Sequence, residues 1–276
     1  MLHEEIILKE EYNLKGGTLI SYAIDRPLDN KNAFWKRPAV IIVPGGAYAF
    51  CSKREQEVVA LEFLSRGFNA FVLRYLCAPD GAAYPEQKLE LAASVDFIRK
   101  NAKKYGTNPK EIFAVGFSAG GHLVGSLSTD FRLAQNEYGE KLDCELTAAG
   151  LIYPVISDKY GHVDSHDNLF RGYSEREKKD RIKLTRLDEN VSKNTVPTFI
   201  FSTAQDKTVP PVNSLRYAEA LSRNNIPFEI HIYKNGGHGM STGSAEINND
   251  TKGISRNRMW LHDCAEFFRE YIKEDF

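Results

Sequence analysis

Ile112-Phe113-Ala114-Val115-Gly116-Phe117-Ser118-Ala119-Gly120-Gly121-His122-Leu123-Val124 carries the reading of this chain. Its first four residues are a short apolar run, as in a buried strand. Gly116 to Gly120 has the form G-x-S-x-G, and Gly121-His122-Leu123-Val124 follows it. The segment reads as a strand entering a tight turn that bears a serine, with a helix leaving the turn. Small flanking residues let the chain reverse without a clash. On such an elbow the serine Oγ projects away from the backbone. The first N–H groups of the helix lack intrahelical acceptors and face any developing negative charge. Acyl transfer through a serine needs that arrangement.

On both sides of the elbow, short apolar runs alternate with longer amphipathic segments. Residues 5–11 and 18–24 read as two strands, with Lys15-Gly16-Gly17 as their turn. Residues 39–43, Ala-Val-Ile-Ile-Val, form a continuous run rich in β-branched side chains, as expected of a strand buried on both faces. Residues 68–75, 112–115, 148–153, 198–202 and 228–233 complete a set of eight. Between them, 54–65 carries Val58, Leu61 and Leu64 at helical spacing, and 84–105 carries Leu89, Ala92, Val95 and Ile98. Residues 211–223 carry Leu215, Ala218 and Leu221, and 256–273 carry Trp260, Cys264, Phe267 and Tyr271. Strands alternating with helices imply parallel pairing through right-handed crossovers. The first two strands, joined by a short turn, should be antiparallel. The expected fold is a single α/β domain over residues 1–276, with a mostly parallel eight-stranded sheet and helices on both faces. Residues 157–194 break the rhythm with a highly charged stretch between two core strands, and read as a largely helical lid or cap insertion near the site.

The bulk numbers agree with an ordinary globular chain of 276 residues, 42% hydrophobic and 26% charged. A formal charge of −1 offers no field for nucleic acid or an anionic membrane. No apolar stretch reaches the roughly 18–20 residues of a membrane span. The acidic start Met1-Leu2-His3-Glu4-Glu5 lacks a basic n-region followed by an apolar one, so a cytoplasmic location is expected. Cys51, Cys77, Cys144 and Cys264 form no C-x-x-C pair, so four reduced thiols are expected and a structural zinc site is not.

A serine hydroxyl is a weak nucleophile until a base takes its proton, and the base needs a partner that fixes its tautomer. In this architecture the acid and then the base follow the serine along the chain. Asp206 lies just past the run 198–202, and His238 lies in the loop Lys234-Asn235-Gly236-Gly237-His238-Gly239 after 228–233. Both fall beyond strand carboxyl ends, where sites of open α/β sheets collect. Ser118, Asp206 and His238 are therefore the candidate catalytic residues. Other histidines fit less well. His122 sits about one turn into the elbow helix and is expected to pack inside. His231 lies within a strand, His162 and His166 lie in the insertion, where the surface is expected with substrate contact left open, and His262 and His3 are near the chain ends.

Oxyanion donors should come from two places. One is the N–H of Ala119, next to the nucleophile. The other is Pro44-Gly45-Gly46-Ala47-Tyr48, after the buried run 39–43, where Gly46 and Ala47 offer their N–H groups. Tyr48 is a candidate pocket wall, and Arg54 a candidate contact for a polar substrate. Ser52 and Glu55 have the S-x-x-E form of a helix capping box.

These residues resemble the α/β-hydrolase superfamily over essentially the whole chain. More narrowly, they are similar to the small esterases related to hormone-sensitive lipase and to bacterial acetyl xylan or sugar esterases. The resemblance rests on Pro44-Gly45-Gly46-Ala47-Tyr48, Ser52-Lys53-Arg54-Glu55, Gly116-Phe117-Ser118-Ala119-Gly120-Gly121-His122-Leu123, Asp206 and His238. Ala47 stands where family members often carry a third glycine, which keeps the N–H. The resemblance implies a serine carboxylesterase acting on short acyl esters, including O-acetyl groups on sugars or xylo-oligosaccharides, with no metal or cofactor. Its expected partner is a small-molecule ester, with neither nucleic acid nor membrane. The insertion and the sheet edge could each pair two copies into a homodimer. Two other readings stay open from sequence: a peptidase or amidase on the same fold, and a catalytically silent binding protein.

Overall fold

In the computed structural model, which describes residues 1–25, 36–138, 142–249 and 251–273, the eight apolar runs pair into one sheet. The strands are β1 (Glu5–Ile7), β2 (Thr18–Tyr22), β3 (Arg37–Val43), β4 (Asn69–Arg74), β5 (Thr107–Phe117), β6 (Ala149–Ile152), β7 (Thr198–Thr203) and β8 (Phe228–Tyr233). Their order is β1-β2-β4-β3-β5-β6-β7-β8. β1 and β2 are antiparallel, as is the β2–β4 pair, and β4, β3 and β5 through β8 run parallel. From Ala39 to Val43, β3 is wholly buried, as its β-branched run requires. Between β3 and β5 the strand order reverses: the chain goes from β3 out to β4 and returns past β3 to β5. The crevice beyond the carboxyl ends of β3 and β5 is thus the switch point where open sheets place ligands.

The expectation of a strand over 5–11 is corrected. Only Glu5–Ile7 pairs with β2, and Leu8–Glu11 makes one helical turn. Lys9, Glu10 and Glu11 favour helix over strand. The helix stripes also need correcting at two places. α1 (Glu57–Ser65) buries Val59, Ala60 and Phe63, and Leu61 stays 45% exposed. Phe63 sets the phase by packing on Phe68, Trp260 and Phe268 at centroid distances of 5.8, 6.5 and 6.4 Å. α2 (Glu86–Lys100) buries its expected Leu89, Ala92, Val95 and Ile98. α3 (Ala119–Thr129) leaves the elbow and is buried throughout. In the later helix Val212–Arg223, Tyr217 turns the inward face so that Leu215 is 53% exposed, while Ala218 and Leu221 are buried as expected. Met259–Arg269 buries Trp260, Cys264 and Phe267.

Two apolar clusters lie on opposite faces of the sheet. One holds α2 and α3, the other α1 and Met259–Arg269. Residues 157–194 form short helices, Val163–Leu169, Glu175–Arg181 and Leu187–Asn190. The cysteines are free thiols. No helix among the described residues is long and apolar enough to cross a membrane.

Glu90 on α2 is wholly buried, and its Oε2 accepts the Leu76 N–H at 2.8 Å. Burial pushes its carboxyl from about 4.5 up to about 8. Between those values the folded state keeps a proton that the unfolded chain has released. The contribution of Glu90 is therefore complete below pH about 4.5 and is lost as pH rises through about 8. Glu90→Gln keeps an acceptor for Leu76 and cannot ionise. Thermal unfolding of both proteins should show a fall in Tm between pH 5 and 8 that is flattened in the variant. Parallel profiles would contradict this.

Candidate active site

Ser118 connects β5 to α3 with φ 53° and ψ −116°. A non-glycine residue in that region stores about 1–3 kcal/mol of strain and persists only when its surroundings hold it. Here the Ser118 N–H donates to Ile152 O at 3.0 Å, and the Ser118 carbonyl accepts from His122 and Val155 N–H at 3.0 and 3.1 Å. The flanking glycines are dictated by space. A Cβ on Gly116 would come within 2.2 Å of Gly120 O, and one on Gly120 within 2.2 Å of Val43 O.

The structure brings the three catalytic candidates together. His238 Nε2 lies 2.8 Å from Ser118 Oγ, and His238 Nδ1 lies 2.7 Å from Asp206 Oδ2. A carboxylate only accepts, so Nδ1 carries the proton and Nε2 is left to accept from the serine hydroxyl. Asp206 is 4% exposed, and its Oδ1 accepts the Thr208 and Val209 N–H groups at 3.0 and 2.9 Å. Those bonds aim Oδ2 at the imidazole. Asp206 follows β7 and His238 follows β8, so both sit on the carboxyl edge with the elbow.

The loop after β3 lies against the elbow. Gly46, Ala47 and Tyr48 have φ values of 127°, 53° and 58°. At Gly46 a side chain is impossible, because its Cβ would fall 1.9 Å from Phe50 O. Among the described residues, the N–H groups of Gly46, Ala47 and Ala119 meet no acceptor. They are free to bind an oxyanion.

Ser118 opens into a cleft of about 410 Å³ lined by Gly46, Ala47, Phe50, Arg54, His162 and His238, among others. A larger cleft of about 760 Å³ lies beyond His238 and does not reach Ser118. Arg54 is thus on the wall. Tyr48 is not. It is 1% exposed, and its hydroxyl meets His122 Nδ1 at 2.7 Å. His122 Nε2 donates to Thr185 O at 2.8 Å, so Nδ1 accepts from Tyr48. This is the inward packing expected of His122, and burial pushes its pKa down to about 4.

Three residues escaped the sequence reading. His162, expected at the surface, has its ring 6.3 Å from that of His238, and burial lowers its pKa. His166, expected at the surface too, is 1% exposed, with its ring 5.1 Å from that of His122 on α3. Glu55 is no helix cap: Ser52 makes no side-chain cap bond, and the Glu55 carboxyl accepts from Gly45 N–H and the Tyr153 hydroxyl at 2.8 and 2.7 Å. The position of Tyr153 at the carboxyl end of β6 is a signal that could have placed it near the site. For Glu55 the spacing to Ser52 suggested a cap, while its partners lie 10 and 98 positions away in sequence.

The BD-FAE family profile matches residues 27–221. Endo-1,4-beta-xylanase B of Butyrivibrio fibrisolvens is 35% identical over 249 residues, covering 88% of this chain and 38% of that protein. The acetylxylan esterase of Xylanibacter ruminicola is 28% identical over 210 residues, covering 75% of this chain and 42% of that protein. The chain thus spans less than half the length of these curated relatives. A crystal structure of an acetyl ester-xyloside bifunctional hydrolase from Caldicellulosiruptor lactoaceticus superposes with a TM-score of 0.81 at 28% identity, covering 97% of this chain and 96% of that one. With a matched span of more than half its residues, a mostly parallel eight-stranded sheet and the serine elbow at its switch point, this chain belongs to the BD-FAE family, of the α/β-hydrolase type.

Proposed function

We propose that the protein is a serine carboxylesterase acting on short acyl esters, O-acetyl groups on sugars or xylo-oligosaccharides among them. The observation that carries this is the unbroken hydrogen-bond chain from Ser118 through His238 to Asp206, opening into a cleft of about 410 Å³. In the first step His238 Nε2 takes the hydroxyl proton as Ser118 Oγ attacks the ester carbonyl. Asp206 holds the imidazole in its working tautomer and stabilises the cation. The N–H groups of Ala119 and of Gly46 or Ala47 bind the oxyanion, where loss of one donor commonly slows the reaction by about 10²–10³. His238 returns the proton to the leaving alcohol, and water then releases the acyl group by the same steps in reverse order.

Residues 157–194 act as the cap. They bring His162 to the cleft, and Asn168 Nδ2 donates to the Ala47 carbonyl at 2.9 Å, so this segment braces the oxyanion loop from outside. The acetylxylan esterase among the relatives agrees with an acetyl donor on a sugar.

The test is a burst of p-nitrophenol from p-nitrophenyl acetate, then a series from acetate to octanoate, and release of acetate from acetylated xylo-oligosaccharides. A burst is expected, with kcat/KM falling by about tenfold or more between acetate and octanoate. No burst and no acetate release would refute the proposal.

A further inference from the structure

Glu55 has no part in the steps above, yet its carboxyl is buried against the loop that faces the nucleophile. It is 3% exposed. A Cβ on Gly45 would lie 3.0 Å from both Glu55 Oε2 and Ser118 Cβ, so the carboxyl, the oxyanion loop and the elbow form one packed layer. Its two oxygens are used by different parts of the fold. Oε2 accepts the Gly45 N–H, at the root of the oxyanion loop, at 2.8 Å. Oε1 accepts the Tyr153 hydroxyl at 2.7 Å.

Tyr153 carries the connection onward. Its ring stands edge-on to His238 with centroids 5.0 Å apart. Its oxygen accepts the Ser241 N–H at 2.9 Å, just past the histidine loop. Ser241 is fixed in turn: its hydroxyl donates to the Arg54 carbonyl at 2.5 Å, and its own carbonyl accepts Trp260 Nε1–H at 2.9 Å. The chain Gly45–Glu55–Tyr153–Ser241 therefore links the loop after β3 to the loop after β8 through buried hydrogen bonds alone. Water cannot replace a partner in that layer, so each bond lost leaves a buried polar group unpaired.

We propose that Glu55 is a positioning residue that sets the separation between the oxyanion loop and the loop of His238. The Gly46 and Ala47 N–H groups and the His238 imidazole must meet one tetrahedral centre, and a displacement of about 1 Å between them can cost about 10² in rate. Glu55 borders the cleft, but its hydrogen bonds go to Gly45 and Tyr153 and not to Ser118, His238 or Asp206. Its effect belongs in kcat rather than in ground-state binding. Burial raises the Glu55 carboxyl, and the bonds from Tyr153 and Gly45 oppose that rise, in keeping with a group held by its partners. This inference rests on the serine esterase reading.

The experiment compares Glu55→Ala, Glu55→Gln, Tyr153→Phe and the double variant Glu55→Ala/Tyr153→Phe with the wild-type full-length chain. Each is assayed on p-nitrophenyl acetate, with circular dichroism and thermal unfolding to establish folding. Glu55→Ala should lower kcat by about 10–10²-fold with KM within about threefold. Glu55→Gln should recover only part of kcat: its carbonyl still accepts from Gly45, but its amide then faces the Tyr153 oxygen, whose own O–H loses its acceptor. The double variant should lose no more than Glu55→Ala alone, since the pair acts as a unit. Tyr153→Phe should lower kcat severalfold, and it decides the matter if Glu55→Ala does not fold. A folded Glu55→Ala or Tyr153→Phe variant with kcat within about twofold of wild type, a loss confined to KM, or losses that multiply in the double variant would overturn the inference. If the wild type shows no turnover, or Ser118→Ala matches it, the esterase reading falls and this proposal with it. If those controls behave and the Glu55 series does not, only the positioning role falls.

Discussion

Ser118→Ala should lower kcat/KM for p-nitrophenyl acetate by roughly 10⁴–10⁶-fold and abolish the burst, with Tm almost unchanged. The size follows from the geometry. Ser118 Oγ is the atom within 2.8 Å of His238 Nε2, so its removal leaves a base with no nucleophile to activate. The oxyanion donors remain, and they sustain only the small residual catalysis such sites show without their nucleophile. Stability should hold because the alanine keeps the backbone bonds of the elbow to Ile152, His122 and Val155, and among the described residues the hydroxyl lost is bonded to His238. A fluorophosphonate should label wild type stoichiometrically and leave the variant unlabelled. Activity within tenfold of wild type in a purified variant would sink the role given to Ser118.

The second large effect is expected at Asp206. Asp206→Asn is nearly isosteric, yet kcat should fall by roughly 10³–10⁴-fold with KM little changed. Oδ1 of Asp206 accepts two backbone N–H groups, from Thr208 and Val209. An asparagine satisfies them by turning its carbonyl oxygen toward them. Its NH₂ then faces His238 Nδ1, which must become an acceptor. The imidazole proton moves to Nε2 and points at Ser118, so the base can no longer take the serine proton. A crystal structure of the variant should show unmoved heavy atoms, which separates a tautomer effect from a packing defect. Retention of more than about one tenth of wild-type kcat would show that Asp206 does not set the tautomer.

Much of this arrangement was legible before any coordinates. The elbow Gly116 to Gly120 is local chemistry: the two glycines are demanded by backbone atoms of neighbouring turns, and that demand is written at fixed spacing. Asp206 and His238 were legible because strand carboxyl ends are predictable from apolar runs, and loops at those ends share one edge of a parallel sheet. Phe228–Tyr233 is a strand with the bounds its apolar run implied. Helix phase was less legible. Val58, Leu61 and Leu64 fit the helical period as well as Val59, Ala60 and Phe63 do, and the choice between the two stripes was made by Phe68, Trp260 and Phe268, which come from other elements. Tyr48 failed for a related reason. Its place beside the oxyanion glycines suggested a pocket wall, but its φ of 58° goes with a ring packed inward onto His122.

Residue order and local spacing were enough to define the strand succession, the serine elbow and the order of acid and base along the chain. Each depends on properties carried within about ten residues: backbone freedom at glycine, the β-branched run before a turn, and the capacity of a carboxylate to accept and of an imidazole to exchange a proton. The wall of the cleft and the buried link beneath it arise from a different source. Glu55 meets Tyr153 at a separation of 98 in numbering, and His162 reaches His238 from the charged insertion, whose composition does not say which of its side chains turn inward. Such contacts are selected by packing among elements distant in sequence, where burial alone distinguishes a helix cap from a carboxyl that ties two loops together.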